Sequence, residues 1–462
     1  MNAIAQPMAV PSSKYLPITL LVGLTQLLLT ADLSLISVAL SSVGKEWNIA
    51  PAALSWVVTG SAITFAGLVI LGGRVVDRYG QRLCFLLGMG LFAASAVALV
   101  FAPNFETVIA ARVLQGLSCA LFQPANYSLV FTALPDGPVR HRALGVVGAA
   151  QGISMLIGLL GGGTMTTMFN WRAVFLLELP LALVAIGLAV IAIPPKNQSA
   201  EPAAKKPADV LGALLLMTAP ALFICSVSVL EHWGWTSLVG LAVLAGAILS
   251  AAALVFVEHR AADPLVPPVL LARAGVLGPI ISVACLLASM VGAFVLLNLY
   301  TQRVLGLSAM AGGLAMLPYA VALAIAGRLA VYTMDRWSLK TNVAIGIAVQ
   351  IVGTALLCYA PLLKGYSWAL VSGTMLSGAG GLIAALAITA QTGGRATADH
   401  KGISMAMMFT TDKIGASIGV ALSLAALTLT NYQVAFALSG VFALLTVIAT
   451  YLLTADTPDQ MR

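Results

Sequence analysis

Long apolar segments separated by short polar breaks follow one another along almost the whole chain. Because about 20 apolar residues are enough for a helix to cross a bilayer, this pattern predicts an all-α integral membrane protein. Dividing the apolar runs at charged or Pro/Gly-rich breaks predicts fourteen transmembrane helices. The predicted spans are 16–43, 53–73, 83–102, 107–133, 143–168, 173–193, 209–230, 237–256, 276–300, 309–330, 342–361, 369–390, 403–428 and 433–454.

The order of the spans divides the chain into two blocks of six helices with two further helices between them. Similar short motifs follow the second span of each block, Gly73-Arg74 before Asp77-Arg78 and Gly327-Arg328 before Asp335-Arg336. Such a duplicated plan is typical of secondary transporters built from repeats. The predicted domains are 1–193 (N-terminal six-helix bundle), 194–208 (polar cytoplasmic linker), 209–274 (two inserted transmembrane helices and an amphipathic linker) and 275–462 (C-terminal six-helix bundle).

The composition agrees with a membrane protein, since 60% of the 462 residues are hydrophobic and 8% are charged, against about 25% charged in soluble proteins. The predicted cytoplasmic segments hold 17 Lys and Arg residues, and the outer segments hold four. By the positive-inside rule, we expect a multi-pass protein of the bacterial inner (cytoplasmic) membrane with both termini in the cytoplasm. The net charge of +7 then reflects cytoplasmic loops, and no nucleic-acid partner is expected. No cleavable signal peptide is expected either.

The cysteines and histidines do not suggest a metal or redox site. All five cysteines fall within apolar segments without paired spacing, which predicts small core residues. The four histidines are placed in connecting loops by the predicted spans, which argues against a haem or metal centre inside the membrane. We therefore expect no cofactor and no metal.

Asp32 is a carboxylate near the middle of the first span. Counting back from Val43 at about 1.5 Å per residue places it roughly 16 Å inside the bilayer. A charge at that depth costs roughly 3 kcal/mol or more, so such a residue normally faces a bundle interior and has a functional role. The alternative is a tolerated residue near a water-exposed helix end.

Arg112 and Gln115 lie in the fourth span. Arg112 is predicted roughly 9 Å below the outer surface, and Gln115 is one turn deeper, close to the level of Asp32. An extended guanidinium could reach Asp32 and hold it ionised until a substrate or a proton competes. The alternative is an Arg whose side chain extends to the outer interface.

Three further charges lie within predicted spans. Asp412 is expected roughly 15 Å from the inner surface, where a substrate or proton role competes with a structural ion pair. Lys413 follows it directly, and since neighbours on a helix point about 100° apart, we expect no pairing between these two. Glu178 lies only five residues into the sixth span and could reach outer-side water, which is the simpler interpretation of that residue.

The loop after the second span resembles the signature loop of the major facilitator superfamily, on Gly73, Asp77, Arg78, Gly80 and Arg82. Its physical requirement is a short turn that both bends and acts as a conformational latch. Glycine at position 80 permits the bend, and the carboxylate at position 77 can pair with a cation or a helix N-terminus.

Two more motifs resemble those of the superfamily. The run from Arg112 to Gly116, with Gln115, is similar to its fourth-helix motif. The fifth span resembles the glycine motif of the antiporter branch, although Leu159 stands where that motif has Pro. Small residues allow close helix approach, so a packing role is the alternative. The glycines of this antiporter-type helix are Gly148, Gly152, Gly158, Gly162 and Gly163.

A narrower resemblance covers essentially the whole chain. It rests on the Ala31–Leu40 segment, Leu54–Thr59, Trp171-Arg172 and Leu299–Ser308, which together are similar to the fourteen-helix drug:proton antiporters. This resemblance implies the major facilitator fold, two six-helix bundles plus two extra central helices. Departures from the family pattern include Ser37 for Asn, Ser41 for Pro, Ser61 for Tyr and Glu178 for Asn, and they leave the substrate open.

The resulting prediction is a proton-coupled antiporter that exports amphiphilic drugs or other small organic molecules by alternating access. The expected partners are an amphiphilic substrate, with a cation as one option, protons and the lipid bilayer, and a monomer is expected to function. The alternatives are a dedicated exporter or proton-coupled importer of a single metabolite and, from another class, a polytopic membrane enzyme. No HExxH or GxSxG stands in a suitable context, and no GxxxxGK[ST] occurs, which disfavours an enzyme and a nucleotide-driven pump. Proton coupling is assigned to Asp32, Asp412 and Arg112, and the substrate cavity to Asp32, Ser37, Arg112, Gln115, Glu178 and Asp412.

Overall fold

A computed structural model describes residues 15–49, 51–194, 210–234, 236–260, 274–307, 309–363, 365–396 and 401–453. Every regular element in these residues is helical. The helices are α1 Leu16–Trp47, α2 Pro51–Tyr79, α3 Gln81–Val100, α4 Phe105–Ala133, α5 Pro138–Leu156, α6 Gly162–Met168, α7 Ala173–Leu176, α8 Glu178–Ala192, α9 Val210–Trp233, α10 Leu238–Glu258, α11 Ala274–Leu299, α12 Ala309–Leu314, α13 Leu317–Met334, α14 Leu339–Tyr359, α15 Trp368–Arg395, α16 Lys401–Leu429 and α17 Tyr432–Leu453. A π-helical turn, Ile157–Gly161, joins α5 to α6, a second, Tyr300–Val304, extends α11, and a 3₁₀ turn, Ala360–Leu362, follows α14.

Helix starts follow local capping chemistry. The Asn104 side chain accepts a hydrogen bond from the Thr107 amide at 2.9 Å and so begins α4, and Ser338 caps α14 in the same way. Such caps satisfy backbone donors that the first turn leaves without partners. Between α2 and α3 the chain turns at Gly80, whose φ of 92° lies in the region that favours glycine.

The helices pack into two groups. In the first, α1 packs against α5 and α8, α4 against α2 and α3, and α3 against α8. In the second, α11 packs against α15, α16 and α17, while α14 packs against α15 and α17 and α13 against α15. Contacts of α2 with α16 and of α5 with α13 join the groups. Each of these contacts joins the second helical segment of one six-helix block to the fifth of the other, as the duplicated sequence plan suggests.

The helices α9 and α10 form a pair beside the two groups. α9 packs against α10 and also against α2 and α16, so it touches both groups. Gly67 of α2 permits this approach, because a Cβ there would lie 2.9 Å from the Met217 carbonyl oxygen. Except for residue 194, the predicted linker 194–208 falls outside the described residues, as do residues 261–273, so the domain division stays a prediction.

Twelve helices in the described residues are long and apolar enough to cross a membrane. Many apolar side chains face outward, as Leu238 and Leu249 of α10 do with 82% and 70% of their surface exposed, which suits a lipid environment. The count of fourteen predicted spans is not confirmed. The fifth predicted span is rich in glycine and is interrupted by the π-helical turn Ile157–Gly161, and α9 contributes only the shorter apolar stretch Leu211–Val227.

Candidate functional site

Asp32 and Arg112 form an ion pair between α1 and α4. The Arg112 Nη1 lies 2.6 Å from the Asp32 Oδ1, and both residues are buried, with 0% of Arg112 and 5% of Asp32 exposed. The sequence predicts that Arg112 can reach Asp32, and the two are in direct contact. They meet inside the first helix group.

The remaining donors of Arg112 are held by neighbouring groups of α2 and α4. Its Nε donates to the Val57 carbonyl at 2.9 Å, and its Nη2 donates to the Ser61 hydroxyl at 3.0 Å. Its Nη1 also donates to the Gln115 Oε1 at 2.6 Å. The guanidinium is therefore held in one orientation by three helices, because α1 supplies the carboxylate.

Gln115 connects two carboxyl groups. Its Nε2 donates to the Asp32 Oδ1 at 3.1 Å and to the Glu178 Oε2 at 3.2 Å. We name Asp32, Arg112, Gln115 and Glu178 the carboxylate cluster. Ser61 was noted in the sequence only as a departure from the family pattern, and the Val57 carbonyl carries no sequence signal of this role.

Glu178 is fully buried, so the expectation that it reaches outer-side water is wrong. Glu178 is the first residue of α8, and Leu177, which separates α7 from α8, keeps helical φ and ψ angles of −71° and −28°. Just before α8, Trp171 and Phe175 pack into an apolar cluster. A count of residues along a span gives a depth but not the helix face that points inward, and Glu178 lies on the buried face.

An apolar layer separates the carboxylate cluster from the end of the first group at which α1 ends and α4 begins. Its α1 members, such as Ile36 and Val43, follow Asp32 along the chain, and its α4 members, such as Val108, precede Arg112. Beyond the layer, the Glu46 carboxylate accepts hydrogen bonds from Trp171 at 2.6 Å and from Arg172 at 2.8 Å.

Asp412 lies apart from the carboxylate cluster, on α16 in the second group. About 21% of its side chain is exposed, and its Oδ2 is 3.7 Å from the Lys413 Nζ. The expectation that these neighbours do not pair is therefore wrong, because the flexible lysine side chain folds back and brings the two charges within ion-pair distance. The ammonium also lies 5.7 Å from the centre of the Phe65 ring on α2, at the boundary between the groups.

Ser37 lies on α1, one turn beyond Asp32, and its side chain falls outside the described part of the chain. The structure thus brings together four of the six predicted cavity residues, Asp412 lies apart from them, and Ser37 stays a prediction. An apolar groove of about 510 Å³ lies elsewhere, between α9 and α10, where Leu222 faces Ala242 and Gly246.

The last two turns of α2 contact the start of α16, and the segment 74–79, predicted as a loop, is helical. The two oxygens of Asp77 accept hydrogen bonds from the backbone amides of Gly402 at 2.8 Å and Ile403 at 2.9 Å. The carboxylate therefore caps the N-terminus of a helix in the other group. Gly73 allows the approach, since a Cβ there would lie 2.6 Å from the Gly402 oxygen and from the Ala406 Cβ.

The other predicted latch residues flank this contact. The Arg78 guanidinium lies over the Tyr79 ring at 5.7 Å from its centre. Gly80 forms the turn, and Arg82 stands half-buried in the first turn of α3. Their roles stay predictions.

A second contact of the same kind was missed in the sequence. The Asp335 Oδ1 lies 2.6 Å from the His141 Nδ1, which joins the end of α13 to the first turn of α5. The duplicated motif that contains Asp335 was the available signal, but nothing in the sequence marks position 141 as its partner.

The glycine-rich fifth helix packs closely against α13. A Cβ on Gly148 would lie 3.2 Å from the Gly327 Cα, and one on Gly152 would lie 2.5 Å from the Ala324 nitrogen. Gly158 lies in the π-helical turn against Ser34 of α1. Gly162 and Gly163 begin α6, and Leu159, which stands where the family motif has Pro, lies within the same π-helical turn.

No group of three or more His, Cys, Asp or Glu residues in the described segments is placed to hold a metal ion. The five cysteines are free thiols. The site is therefore built from carboxyl, guanidinium, amide and hydroxyl groups, which can exchange protons and bind charged or polar ligands.

Comparisons with known proteins point to one family. The family model for the Major Facilitator Superfamily matches residues 22–412. The uncharacterized MFS-type transporter EfpA of Mycobacterium tuberculosis is 33% identical over 321 residues, which are 69% of this chain and 59% of that protein. The cephamycin export protein CmcT of Amycolatopsis lactamdurans is 33% identical over 405 residues, 86% of this chain and 82% of that protein. A lincomycin resistance protein of Streptomyces lincolnensis is 32% identical, covering 70% of this chain and 66% of that protein. The match thus spans less than two thirds of EfpA and of the lincomycin resistance protein.

Solved structures show the same fold. The human organic anion transporter MFSD10 superposes with a TM-score of 0.69 at 16% identity, over 96% of this chain and 100% of that one. The proton:xylose symporter XylE superposes with a TM-score of 0.68 at 16% identity, over 96% of each chain. At this identity the likeness concerns the fold alone, and it confirms the predicted major facilitator fold.

Proposed function

The chain belongs to the major facilitator superfamily, and from that premise we propose that it is a proton-coupled antiporter that exports small organic molecules by alternating access. Similarity to a cephamycin export protein and to a lincomycin resistance protein supports export. The family and these relatives are transporters, which argues against the membrane-enzyme alternative.

The observation that carries the proposal is the ion pair between Asp32 and Arg112, at 2.6 Å inside membrane helices. Removing two charges from water costs free energy that their attraction often only balances, so such a pair is weak evidence for stability. Charged residues inside a membrane bundle more often mark ion or substrate pathways. We therefore assign the pair to coupling.

The chemistry of coupling follows from competition for Asp32. While Asp32 is ionised, it holds Arg112, and it would attract a cationic or donor-bearing substrate. A proton on Asp32 removes that charge and frees the guanidinium. Proton and substrate then exclude each other at one carboxylate, which is what exchange of one for the other requires.

The contacts between the helix groups support alternating access. Asp77 caps α16 from the first group, and Asp335 meets α5 from the second. Both contacts lie at the end of the molecule where α2 and α13 end, which is the predicted cytoplasmic face. We propose that they close this face and break when the bundles rock about the site. The antiporter-type glycine helix would let α5 and α13 move while in contact.

The remaining assignments are part of the same proposal. The position of Asp412 at the boundary between the groups supports a second proton or substrate role. We propose an amphiphilic substrate, with cations included, a monomeric functional unit and a location in the bacterial inner membrane. The predicted loop charges support cytoplasmic termini.

The test is accumulation of ethidium, a cationic dye, in inside-out membrane vesicles with an acidic lumen. The wild-type protein should accumulate dye until the pH gradient is collapsed. Asp32→Asn should abolish accumulation but leave gradient-independent dye exchange, because the neutral amide keeps the shape of the protonated acid. No gradient-dependent movement of ethidium by the wild type would count against the proposed function.

A matched control is Asp136→Asn. The Asp136 side chain is 87% exposed and pairs with Arg140 within the same bundle. Asp136→Asn therefore removes the same charge as Asp32→Asn, but from an exposed position instead of a buried one. This variant should transport like the wild type. Equal losses of accumulation and exchange in Asp32→Asn, together with a lower yield, would point to a structural role for the pair.

A further inference from the structure

Glu178 is a buried acid whose partners do not match an ionised carboxylate. Its Oε2 accepts one hydrogen bond, from Gln115 at 3.2 Å. Its Oε1 is buried and accepts none from any donor in the described part of the chain. An ionised carboxylate has about four acceptor sites and normally fills them when it is removed from water.

The charge around Glu178 is unbalanced. Among the described residues, the titratable or charged groups that face it are Asp32 on α1 and Arg112 and Cys119 on α4. Residues 16–44 of α1 contain Asp32 as their only charged residue, and residues 83–100 of α3 and the whole of α7 contain none, so none of these stretches supplies a cation. Two carboxyl groups thus share a single guanidinium.

That guanidinium is already committed. Its hydrogen bonds go to Asp32, Gln115, Ser61 and the Val57 carbonyl, and none of these four bonds reaches Glu178. The apolar layer above the site leaves Glu178 with no exposed surface. Two carboxylates at one buried site do not both ionise, because the second charge is neither solvated nor paired.

The position of the two acids agrees with this count. One Gln115 nitrogen donates to both acids, at 3.1 Å to the Asp32 Oδ1 and at 3.2 Å to the Glu178 Oε2. Two ionised carboxylates held this close to each other repel, and a proton on one of them removes the repulsion. A proton on Glu178 therefore explains both this proximity and the missing donors.

We infer that Glu178 carries a proton in this state and is a second proton-binding site of the coupling machinery, beside Asp32. The coupling part of this inference rests on the proposed function. When Arg112 moves from Asp32 toward Glu178, the Glu178 O–H bond breaks and its proton passes to Asp32 or to water. The new Glu178 carboxylate then takes the guanidinium, so charge is conserved at each step.

The direct test is infrared spectroscopy of the full-length protein in detergent at neutral pH. A protonated carboxyl group gives a carbonyl band that a carboxylate lacks. Labelling the glutamate carboxyl carbons with carbon-13 should shift the band of protonated Glu178. Labelling the aspartate carboxyl carbons should leave this band at its position. Glu178→Gln should remove it.

The matched control is Glu258→Gln, because Glu178 and Glu258 are the buried glutamates among the described residues. The band should survive this substitution. If Glu178→Gln does not accumulate, the glutamate label combined with Glu258→Gln still decides the question. A spectrum without a glutamate-dependent acid band, or one whose band disappears with Glu258→Gln, would overturn the inference.

The coupling role is tested by ethidium accumulation in the same inside-out vesicles. Glu178→Gln should lose pH-gradient-driven accumulation and keep exchange without a gradient, whereas Glu106→Gln, which changes an exposed acid at the start of α4, should behave as the wild type. Wild-type-like accumulation in Glu178→Gln would overturn the coupling role while the proposed function stands. A wild type without gradient-driven accumulation would remove the proposed function, and the infrared result would still report the proton.

Discussion

The contact between Asp77 and α16 offers the most quantitative test of how the two bundles are held together. Asp77→Ala removes a carboxylate that accepts hydrogen bonds from the Gly402 and Ile403 amides at 2.8 and 2.9 Å. The glycine contact at Gly73 remains, so the helices can still pack. The substitution therefore acts on the contact between the bundles and leaves the carboxylate cluster untouched.

The size of the effect follows from capping energetics. Replacing an acidic N-cap by Ala costs about 1 kcal/mol, with a range of about 0.5–2. The interaction of a charge with the helix dipole is worth a similar amount, roughly 0.3–1 kcal/mol. We take about 1.4 kcal/mol, which is a tenfold change in an equilibrium constant. Because the contact exists only while this face is closed, the change falls on the ratio of closed to open molecules.

Spin labels measure this ratio directly. Cysteines introduced at Leu83 on α3 and Gly394 on α15 lie on exposed positions of the two bundles at this face. Distances between labels there should gain a longer component in Asp77→Ala, with the closed population reduced about tenfold relative to the open one. Asp136→Ala is the control, because its exposed ion pair contributes little. An unchanged distance distribution in folded Asp77→Ala would refute the latch.

Two further predictions concern packing and pH. Gly152→Leu should reduce the yield and melting temperature measured by fluorescence-detected gel filtration, because its Cβ would meet the Ala320 carbonyl of α13, whereas Gly187→Leu, where a Cβ has open space, should leave both near wild type. Hydrogen bonding to Arg172 lowers the pKa of Glu46, which lies beyond the predicted span 16–43, below its ordinary value of 4.5. The pair therefore contributes stability above that pH and loses it as pH falls through the lowered pKa. In Glu46→Gln, the plot of melting temperature against pH should be flatter in the acid range than in the wild type. An unchanged slope in that range would contradict the prediction.

Much of the fold could be predicted because membrane helices must satisfy their own backbone. The bilayer requires long apolar runs, and these are visible without any tertiary information. The turn at Gly80 was also predictable, since a short loop between antiparallel helices needs a residue that adopts positive φ. The helix count is harder to predict, because α5 pairs with α13 through glycines and so lacks the hydropathy of a lipid-facing span.

The carboxylate cluster was only partly predictable. Counting residues from the membrane surface placed Asp32 and Arg112 at compatible depths, and the pair formed as that count allowed. Glu178 was misplaced because depth counting does not say which face of a helix points inward, and its buried side chain accepts a hydrogen bond from Gln115 instead of meeting the outer water. Which face is buried depends on packing partners such as the apolar cluster that contains Trp171, and the local sequence does not specify them.

Of the two contacts between the bundles, one was predictable and the other was not, because their partners are of different kinds. Asp77 binds backbone amides, which residues at 402 and 403 present whatever their side chains, with proline the exception. Its partner could therefore be foreseen as a helix N-terminus from the carboxylate alone. Asp335 binds the His141 side chain, and that partner depends on one residue type at one position of α5. The equivalent acids of the duplicated motif thus make different contacts. Asp77 binds backbone amides, which almost any helix start offers, whereas Asp335 binds one particular side chain, and only the Asp335 contact required the structure to be found.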